Sequence, residues 1–282
     1  LLPQSAAPGY KDFLKQKIER TRVIYAGAND GMLHAFVDTN AICGDSPAAG
    51  TCGQEIFAYV PQAALTKLGS LAKRDYGTPS NPHQFLVDGP LTESDAYLRG
   101  AWKNVLIGTM GAGGKAIFAL DITTPAALGT SSVIWEKSSE NAGVNKDDFG
   151  YMLGSAQVGM LPNGHWMAFV GNGPYSVNGR AALLMIDLTD GSVTSVPTAA
   201  ADSGNGLGAV RLVKNSNQQV TDVYAGDLKG QLWHFNVSTS TPAASLIFNA
   251  TNDRAIPQPI TAAPSVMAHP RGGNMITFGT GK

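Results

Sequence analysis

The polar loop Lys214–Asp222, KNSNQQVTD, carries the residue types best suited to holding an ion. Ca²⁺ takes roughly six to eight oxygen ligands, and calcium loops place oxygen-bearing side chains at alternate positions and close on a carboxylate. Asn215, Asn217 and Gln219 alternate here, but Asp222 is the only carboxylate and stands one position off the alternation. The pattern fits a degenerate calcium loop with Asn215, Asn217 and Asp222 as ligands, although a solvated hairpin turn is the favoured interpretation.

Two further groups of titratable residues could in principle do chemistry. The adjacent carboxylates Asp147 and Asp148 could serve acid–base catalysis or bind a cation, but neighbouring residues of a strand point to opposite faces. A solvated turn is therefore the favoured interpretation of NKDDFG. His34 and His234 occupy equivalent positions in two similar stretches, which favours packing over metal ligation.

The glycine-rich stretch GTMGAGGKA, residues 108–116, resembles a phosphate-binding loop. In such a loop a Ser or Thr follows the lysine, whereas Ala116 follows Lys115 here, and the stretch joins two predicted strands. A hairpin turn is favoured, and there is no G-x-S-x-G motif. The sequence therefore predicts a protein that is not an enzyme and that needs no organic cofactor.

Cys43 and Cys52 flank a loop of small residues that contains no His or further Cys. Zinc would need more ligands, so a disulfide is favoured over two free thiols, and it indicates an oxidising compartment. Lys plus Arg (20) nearly equals Asp plus Glu (21), and no apolar run reaches the length of a membrane span. We expect neither a nucleic-acid partner nor a membrane span.

The elements that must position these residues repeat along the chain. Five stretches show an apolar strand ending in glycine, a turn, and a second apolar strand: residues 23–38, 104–122, 165–188, 221–237 and 274–282. Their anchoring glycines are Gly27, Gly108, Gly171, Gly226 and Gly279. Further short strand candidates flank the copies, which gives about four strands per unit and predicts the blades of an all-β β-propeller.

The hairpin pattern also predicts how neighbouring blades pack. Period-two alternation places Trp233 and Phe235 on one face, between blades. The anchoring glycine would allow a positive φ in a tight turn, where Asn29, Asp30 or Asp227 could accept hydrogen bonds from the backbone. The first copy lacks a preceding strand and the fifth stops in mid-hairpin, so we expect residues 1–282 to be one propeller domain that is incomplete at both ends.

Two segments depart from the strand pattern. In residues 8–20, Tyr10, Phe13 and Ile18 follow helical spacing, and in residues 61–76, Leu65 and Leu68 lie on one helical face with Leu71 and Ala72. We expect two short helical insertions on the rim of the propeller. Packing helices are favoured over docking surfaces.

Two resemblances to known families follow from these motifs. The stretch 118–136, FALDITTP…VIWE, resembles a repeat of quinoprotein propellers whose tryptophans dock neighbouring blades, which implies a structural role for Trp135. Nearly the whole chain resembles the C-terminal propeller of the PilY/PilC family of type IV pilus biogenesis factors and tip adhesins. The blocks GANDGMLHAF (27–36) and YAGDLKGQLWHF (224–235) carry that resemblance most specifically.

The PilY/PilC resemblance implies a seven-bladed propeller that is secreted through the periplasm and carried on minor pilins to the pilus tip or outer cell surface. There it would promote pilus assembly against retraction, support twitching motility and contact a host or abiotic surface receptor. Several family members bind calcium in a loop just before the YAGD block. Here Lys214 stands at a position where the family has acids, so we expect weak or lost calcium binding.

Two other functions remain open on the sequence. A quinone-dependent dehydrogenase would need a cofactor on the propeller axis with a carboxylate-held calcium, and no convincing ligand set is present. A periplasmic scaffold of outer-membrane assembly would require a lipidation signal upstream of Leu1. A non-enzymatic pilus factor and adhesin is the favoured hypothesis.

Overall fold

The computed structural model describes residues 8–38, 53–198 and 203–281, which form five antiparallel sheets, two α-helices and short 3-10 helices. The first sheet has three strands and the next three have four each: β1 (Val23–Gly27), β2 (Leu33–Val37), β3 (Glu55–Tyr59); β4 (Leu91–Leu98), β5 (Ala101–Thr109), β6 (Ala116–Asp121), β7 (Val133–Ser138); β8 (Gln157–Met160), β9 (Trp166–Gly171), β10 (Ala182–Asp187), β11 (Val193–Pro197); β12 (Leu207–Lys214), β13 (Val220–Asp227), β14 (Gln231–Asn236), β15 (Ala243–Asn249). The fifth sheet pairs β16 (Ser265–Ala268) with β17 (Asn274–Thr277). The helices are α1 (Tyr10–Glu19) and α2 (Gln62–Leu71). The expected all-β architecture of four-stranded sheets is confirmed.

The repeated sequence forms the same hairpin in four sheets. It gives β1–β2, β5–β6, β9–β10 and β13–β14, while the fifth copy supplies β17, which pairs with β16. In the four-stranded sheets this hairpin is central, because one strand precedes it and one follows it on the outside. The repeat is therefore an architectural unit.

The core consists of layers between neighbouring sheets. Alternate residues of β5 enter different layers: Val105 and Ile107 pack toward the third sheet, and Leu106 packs toward the first. Strand β4 contacts β8 and β9, and β12 in turn contacts β8, β9 and β16. The second, third and fourth sheets therefore each serve two layers, which is the packing of propeller blades.

The predicted position of the hairpin aromatics is confirmed. Trp233 and Phe235 are buried in the layer between the third and fourth sheets, and Leu232 points into the next layer. Trp135 is buried between the second and third sheets. These large side chains hold adjacent sheets together.

The anchoring glycines do not adopt the positive φ that the sequence led us to expect. Gly27 and Gly226 are strand residues without a positive φ, and the turns instead use the later glycines Gly31 (φ 98°) and Gly230 (φ 76°). A Cβ on Gly226 would lie 2.2 Å from the Cβ of Ile260, in the segment that leads to the next sheet. The anchoring glycine is thus required by the close approach of a neighbouring segment.

The two helices lie inside the segments 8–20 and 61–76, but not every expected residue faces the protein. On α1, Phe13 is buried and the Tyr10 ring lies 4.3 Å from that of Trp102, whereas Ile18 is exposed. On α2, the buried residue is Ala64, and Leu65 is exposed. The expected faces are wrong at Ile18 and Leu65, because each helix rests on the sheets along a narrower stripe than its apolar residues suggest.

The predicted disulfide between Cys43 and Cys52 lies outside the described residues and stays a prediction. Among the residues that the structure describes, no helix is long and apolar enough to cross a membrane.

Candidate binding surface

Loop 214–222 is a tight turn between β12 and β13 that uses its own polar atoms. The side-chain oxygen of Asn215 accepts hydrogen bonds from the backbone N–H groups of Asn217 (2.9 Å) and Gln219 (3.0 Å), and its amide donates to the Gln219 side chain. Asp222 lies farther along β13, where its oxygens accept hydrogen bonds from Thr221 and bind the His234 ring at 2.7 Å. This donor set does not fit a calcium site, since Asn215 caps the turn and Asp222 is paired with His234.

Three histidines bind carboxylates: His34 on β2, His234 on β14 and His165 just before β9. His34 contacts Glu55 (2.6 Å) and Asp30 (2.9 Å), and the His165 ring contacts Asp187 in the same way as His234 contacts Asp222. The hydrogen bond to Glu55 is the main cause that raises the pKa of His34. In the described parts of the chain, no group of three His, Cys, Asp or Glu side chains is placed to hold a metal ion.

The expectation of a solvated turn at NKDDFG is wrong for Asp148. The segment Gly143–Asp148 is a 3-10 helix, and Asp148 is 1% exposed. Its carboxylate accepts hydrogen bonds from Arg180 (2.8 and 2.9 Å), Ser195 (2.6 Å) and Asn178 (2.8 Å). Burial alone would raise its pKa, but these bonds outweigh burial and hold the pKa of Asp148 below its ordinary value. The adjacent Asp147 stays half-buried, with its carbonyl bound to the backbone of residue 178.

That carboxylate anchors the connection between β9 and β10, residues 172–181, which we call the Tyr175 loop. The fully buried Asn172 side chain donates to the carbonyls of Asp148 and Arg180 and accepts from the N–H groups of Ala182 and Leu207. All the hydrogen-bonding groups of that amide are directed at the backbone. The base of the loop is therefore fixed by buried polar contacts.

The tip of the Tyr175 loop is exposed and strained. Tyr175 is 75% exposed and has φ 63°, a left-handed conformation that is unfavourable for an aromatic residue, and Val177 is 72% exposed. Strain of this kind persists only where surrounding structure enforces it, and it is most frequent at binding and catalytic sites. The Tyr175 loop is thus a rigid, partly apolar surface feature.

A cleft of about 490 Å³ opens beside this loop, between α2 and the second sheet. Lys67, Lys115 and Lys137 line it together with the ring of Tyr151, and we call it the lysine cleft. Lys115 joins it to the Tyr175 loop, because its Nζ donates to the Tyr175 carbonyl (2.5 Å) and lies 5.5 Å from the Tyr151 ring centre. The Tyr151 and Tyr175 rings meet edge to face, with centroids 6.1 Å apart.

Glu136 fixes the wall of the lysine cleft that α2 forms. Its carboxylate accepts the backbone N–H of Gln62 with both oxygens (3.1 and 3.0 Å) and the hydroxyl of Tyr59. Burial raises the pKa of Glu136, and the Gln62 N–H opposes that rise. The helix N-terminus carries partial positive charge, so it offsets the charge of this glutamate.

The sequence did not indicate the lysine cleft. Lys67 lies on a helix and Lys137 on β7, and neither stands in a recognisable motif. Lys115 belongs to the glycine-rich stretch that resembles a phosphate-binding loop, which the structure shows as a hairpin turn between β5 and β6. The Asn, Gly and Pro residues around Tyr175 signal an irregular loop, but not its exposure. Only the fold brings these residues together.

The successive sheets share buried layers and contact one another through their first strands, which defines the fold as a β-propeller. The Tyr175 loop and the lysine cleft form the candidate binding surface of this propeller. The chain matches the model of the PilY1 beta-propeller domain over residues 2–282. It belongs to that family.

Two named relatives and one crystal structure support this family assignment. The chain is 38% identical over 307 residues to the "Type IV pilus biogenesis factor PilY1 homolog" of Xylella fastidiosa strain Temecula1, covering 100% of this chain and 19% of that protein. It is 38% identical over 308 residues to the "Type IV pilus biogenesis factor PilY1" of Pseudomonas aeruginosa PAO1, covering 99% of this chain and 24% of the relative. The crystal structure of the P. aeruginosa PilY1 C-terminal domain superposes with a TM-score of 0.80 at 34% identity, covering 100% of this chain and 57% of that one. The chain thus spans about a fifth to a quarter of the curated relatives it matches.

Proposed function

We propose that this propeller acts in type IV pilus biogenesis as a non-enzymatic binding domain. The observation that carries the proposal is the match to the family over residues 2–282, together with two relatives named pilus biogenesis factors at 38% identity. The local structure supports binding over catalysis. Its most distinctive surface is a rigid loop beside a cleft, and two of the three predicted calcium ligands, Asn215 and Asp222, are engaged within the protein.

The finer role follows from the family resemblance. We propose that the protein is secreted through the periplasm, reaches the pilus tip or outer cell surface on minor pilins, and promotes assembly against retraction. There it would contact a host or abiotic surface receptor and support twitching motility. A disulfide between Cys43 and Cys52 would suit this oxidising route.

Gene deletion in a strain that cannot retract its pili tests this role. We expect fewer surface pili and less surface attachment, and restoration of both by the full-length gene. Unchanged piliation and attachment would refute the proposal.

We also propose that loop 214–222 binds calcium weakly or not at all. Asn215 is occupied by the turn and Asp222 by His234, and a lone carboxylate attracts Ca²⁺ poorly. Calorimetric titration should show no binding in the micromolar range. Micromolar affinity that disappears in Asp222→Ala would contradict this expectation.

A quinone-dependent dehydrogenase is the competing function. It predicts that the purified protein carries quinone absorbance or supports dye-linked alcohol oxidation after quinone and Ca²⁺ are added. We expect neither signal, and either one would reverse the assignment as a non-enzyme.

A further inference from the structure

We propose that the Tyr175 loop and the lysine cleft together form a docking site for an acidic peptide segment of a protein partner. The inference rests on the proposed function as a binding domain and names the surface and the chemistry of its partner. It follows from three properties of the site, which are rigidity, exposed apolar side chains and an excess of lysines over carboxylates.

Rigidity comes from the buried network under the loop. Asp148, Asn172 and Arg180 hold both ends of the Tyr175 loop through short hydrogen bonds. Gly150 and Tyr151 also donate backbone hydrogen bonds to the carbonyls of residues 172 and 174. A surface that is already ordered loses little conformational entropy when it binds, so a peptide can dock there with a modest number of contacts.

The exposed side chains are apolar. Tyr175 and Val177 stand on the loop, and Val144 (97% exposed) and Leu153 (60% exposed) stand on the neighbouring segment that is hydrogen-bonded to it. Aromatic side chains with apolar neighbours are typical of the centres of protein interfaces. Sugar rings stack mainly on aromatic faces, whereas three of these four exposed side chains are aliphatic, which favours a peptide.

The charge of the cleft selects an acidic peptide. Within the described residues, Lys67, Lys115 and Lys137 form no ion pair. The Nζ of Lys67 donates to the carbonyl of Gly113 (2.5 Å), as that of Lys115 does to Tyr175. An ammonium group has three donors, so each of these two lysines keeps donors for a ligand.

The carboxylates that line the cleft offset this charge only in part, because two glutamates, Glu136 and Glu140, face three lysines. The oxygens of Glu136 are taken by the N-terminus of α2 and by Tyr59, and Glu140 lies exposed on the rim. A carboxylate of the partner could bind between Lys67 and Lys115, with an apolar side chain against Tyr175. The cleft volume of about 490 Å³ is enough for one or two side chains.

Selection from a random twelve-residue peptide library displayed on phage tests the proposal, with the 282-residue chain as bait. We expect enrichment of peptides in which Asp or Glu stands next to an apolar or aromatic residue. The affinity of a selected synthetic peptide would then be measured by fluorescence anisotropy. Tyr175→Ser and Lys67→Met should each weaken binding about tenfold.

Lys115 needs a second variant because its ammonium group also holds the Tyr175 carbonyl. Lys115→Met should weaken binding about tenfold, whereas Lys115→Arg, which keeps the charge and donors, should stay within about threefold of the parent. The matched controls are Lys11→Met and Ile18→Ser, which change an exposed lysine and an exposed apolar residue on α1. They should leave binding unchanged, and a thermal unfolding scan confirms that every variant is folded.

Three results would overturn the inference. The selected peptides could lack acidic residues, they could bind equally well to the Tyr175→Ser, Lys67→Met and Lys115→Met variants, or no peptide could be enriched above background. A carbohydrate array run in parallel would also overturn it if acidic glycans bound through Tyr175 and Lys67 while peptides did not. The in vitro assay decides the inference and the gene deletion decides the proposed function, so failure of one is distinguishable from failure of the other.

Discussion

Single buried polar residues determine the shape of the exposed surface. Asp148 binds Arg180, Asn178 and Ser195, and Asn172 binds only backbone groups. A buried charge is tolerated only when it is paired and hydrogen-bonded, so removal of one member leaves its partner exposed to the full desolvation cost. The conformation of the Tyr175 loop therefore depends on residues that a partner never touches.

Asp148→Asn should lower the free energy of unfolding by about 3 kcal/mol, because it removes the buried negative charge that the Arg180 guanidinium binds. Urea denaturation measures the change. The matched control is Asp147→Asn at the half-buried neighbour, which should change stability by less than about 0.5 kcal/mol. Equal effects of the two substitutions would mean that the Asp148 network contributes nothing specific.

The lowered pKa of Asp148 predicts that the stability of the protein depends on pH. Because the pKa of Asp148 is lowered in the folded protein, its stabilisation is fully present above the unfolded value of about 3.9 and is lost as pH falls through the folded pKa. The stability difference between the parent and Asp148→Asn should therefore shrink at acid pH. A difference that is constant from pH 7 to pH 2 would contradict this assignment.

His34 should titrate in the opposite sense. Glu55 and Asp30 raise its pKa, so the stabilisation from its protonated form is present below the unfolded value of about 6.5 and is lost as pH rises through the folded pKa. An NMR titration of the ring protons should give a value above 6.5. Glu55→Gln should lower that value, whereas Asp190→Asn in the turn between β10 and β11 should leave it unchanged.

The main repeating element is the hairpin whose first strand carries the anchoring glycine. At Gly226 the neighbouring Ile260 occupies the space that a side chain would need, and at Gly171 the carbonyl of Gly208 does so. At these two positions the glycine thus determines how closely the chain of the next blade approaches the strand. The repeated sequence therefore contains glycines of two kinds: those that allow close packing between sheets and those that form the turns within a sheet.

Gly226→Ala should lower the free energy of unfolding by about 2 kcal/mol, because the new Cβ overlaps Ile260 and the strand or its neighbour must shift. Chemical denaturation measures the loss. Gly279→Ala is the matched control, since it changes the same position of the fifth copy where no atom lies within 4 Å. Equal destabilisation by both substitutions would mean that the overlap with Ile260 contributes nothing specific, because the effect of Gly→Ala on the entropy of the unfolded chain is stabilising.

The sequence predicts the elements better than it predicts the site. The hairpins and the burial of Trp233 follow from local periodicity and from repetition, both of which are visible in one chain. The burial of Asp148 and the contact between Glu136 and Gln62 depend on partners dozens of positions away, which no local pattern encodes. The lysine cleft is unpredictable for the same reason.

At the scale of the whole molecule, the shared layers couple neighbouring sheets but do not stabilise them equally. The layers on either side of the third sheet hold many large buried side chains, including Phe149, Phe169 and Phe235. Among the residues that the structure describes, the layer between the fourth and fifth sheets has only Leu232, Ala250 and Ile260 as buried members. For the 282-residue chain by itself, stability should therefore fall toward the fifth sheet.

Hydrogen exchange measures that gradient directly. We expect amides of β16 and β17 to exchange at least about 100-fold faster than those of β9 and β13, because local opening of the fifth sheet exposes few buried apolar groups. Met267 and Met275 are already half-exposed on that sheet. Ile260→Ala should widen the difference, since it removes a fully buried side chain from the weakest layer, whereas Ile18→Ala on the exposed face of α1 should not. Uniform protection across the sheets would instead mean that the propeller opens only as a single cooperative unit.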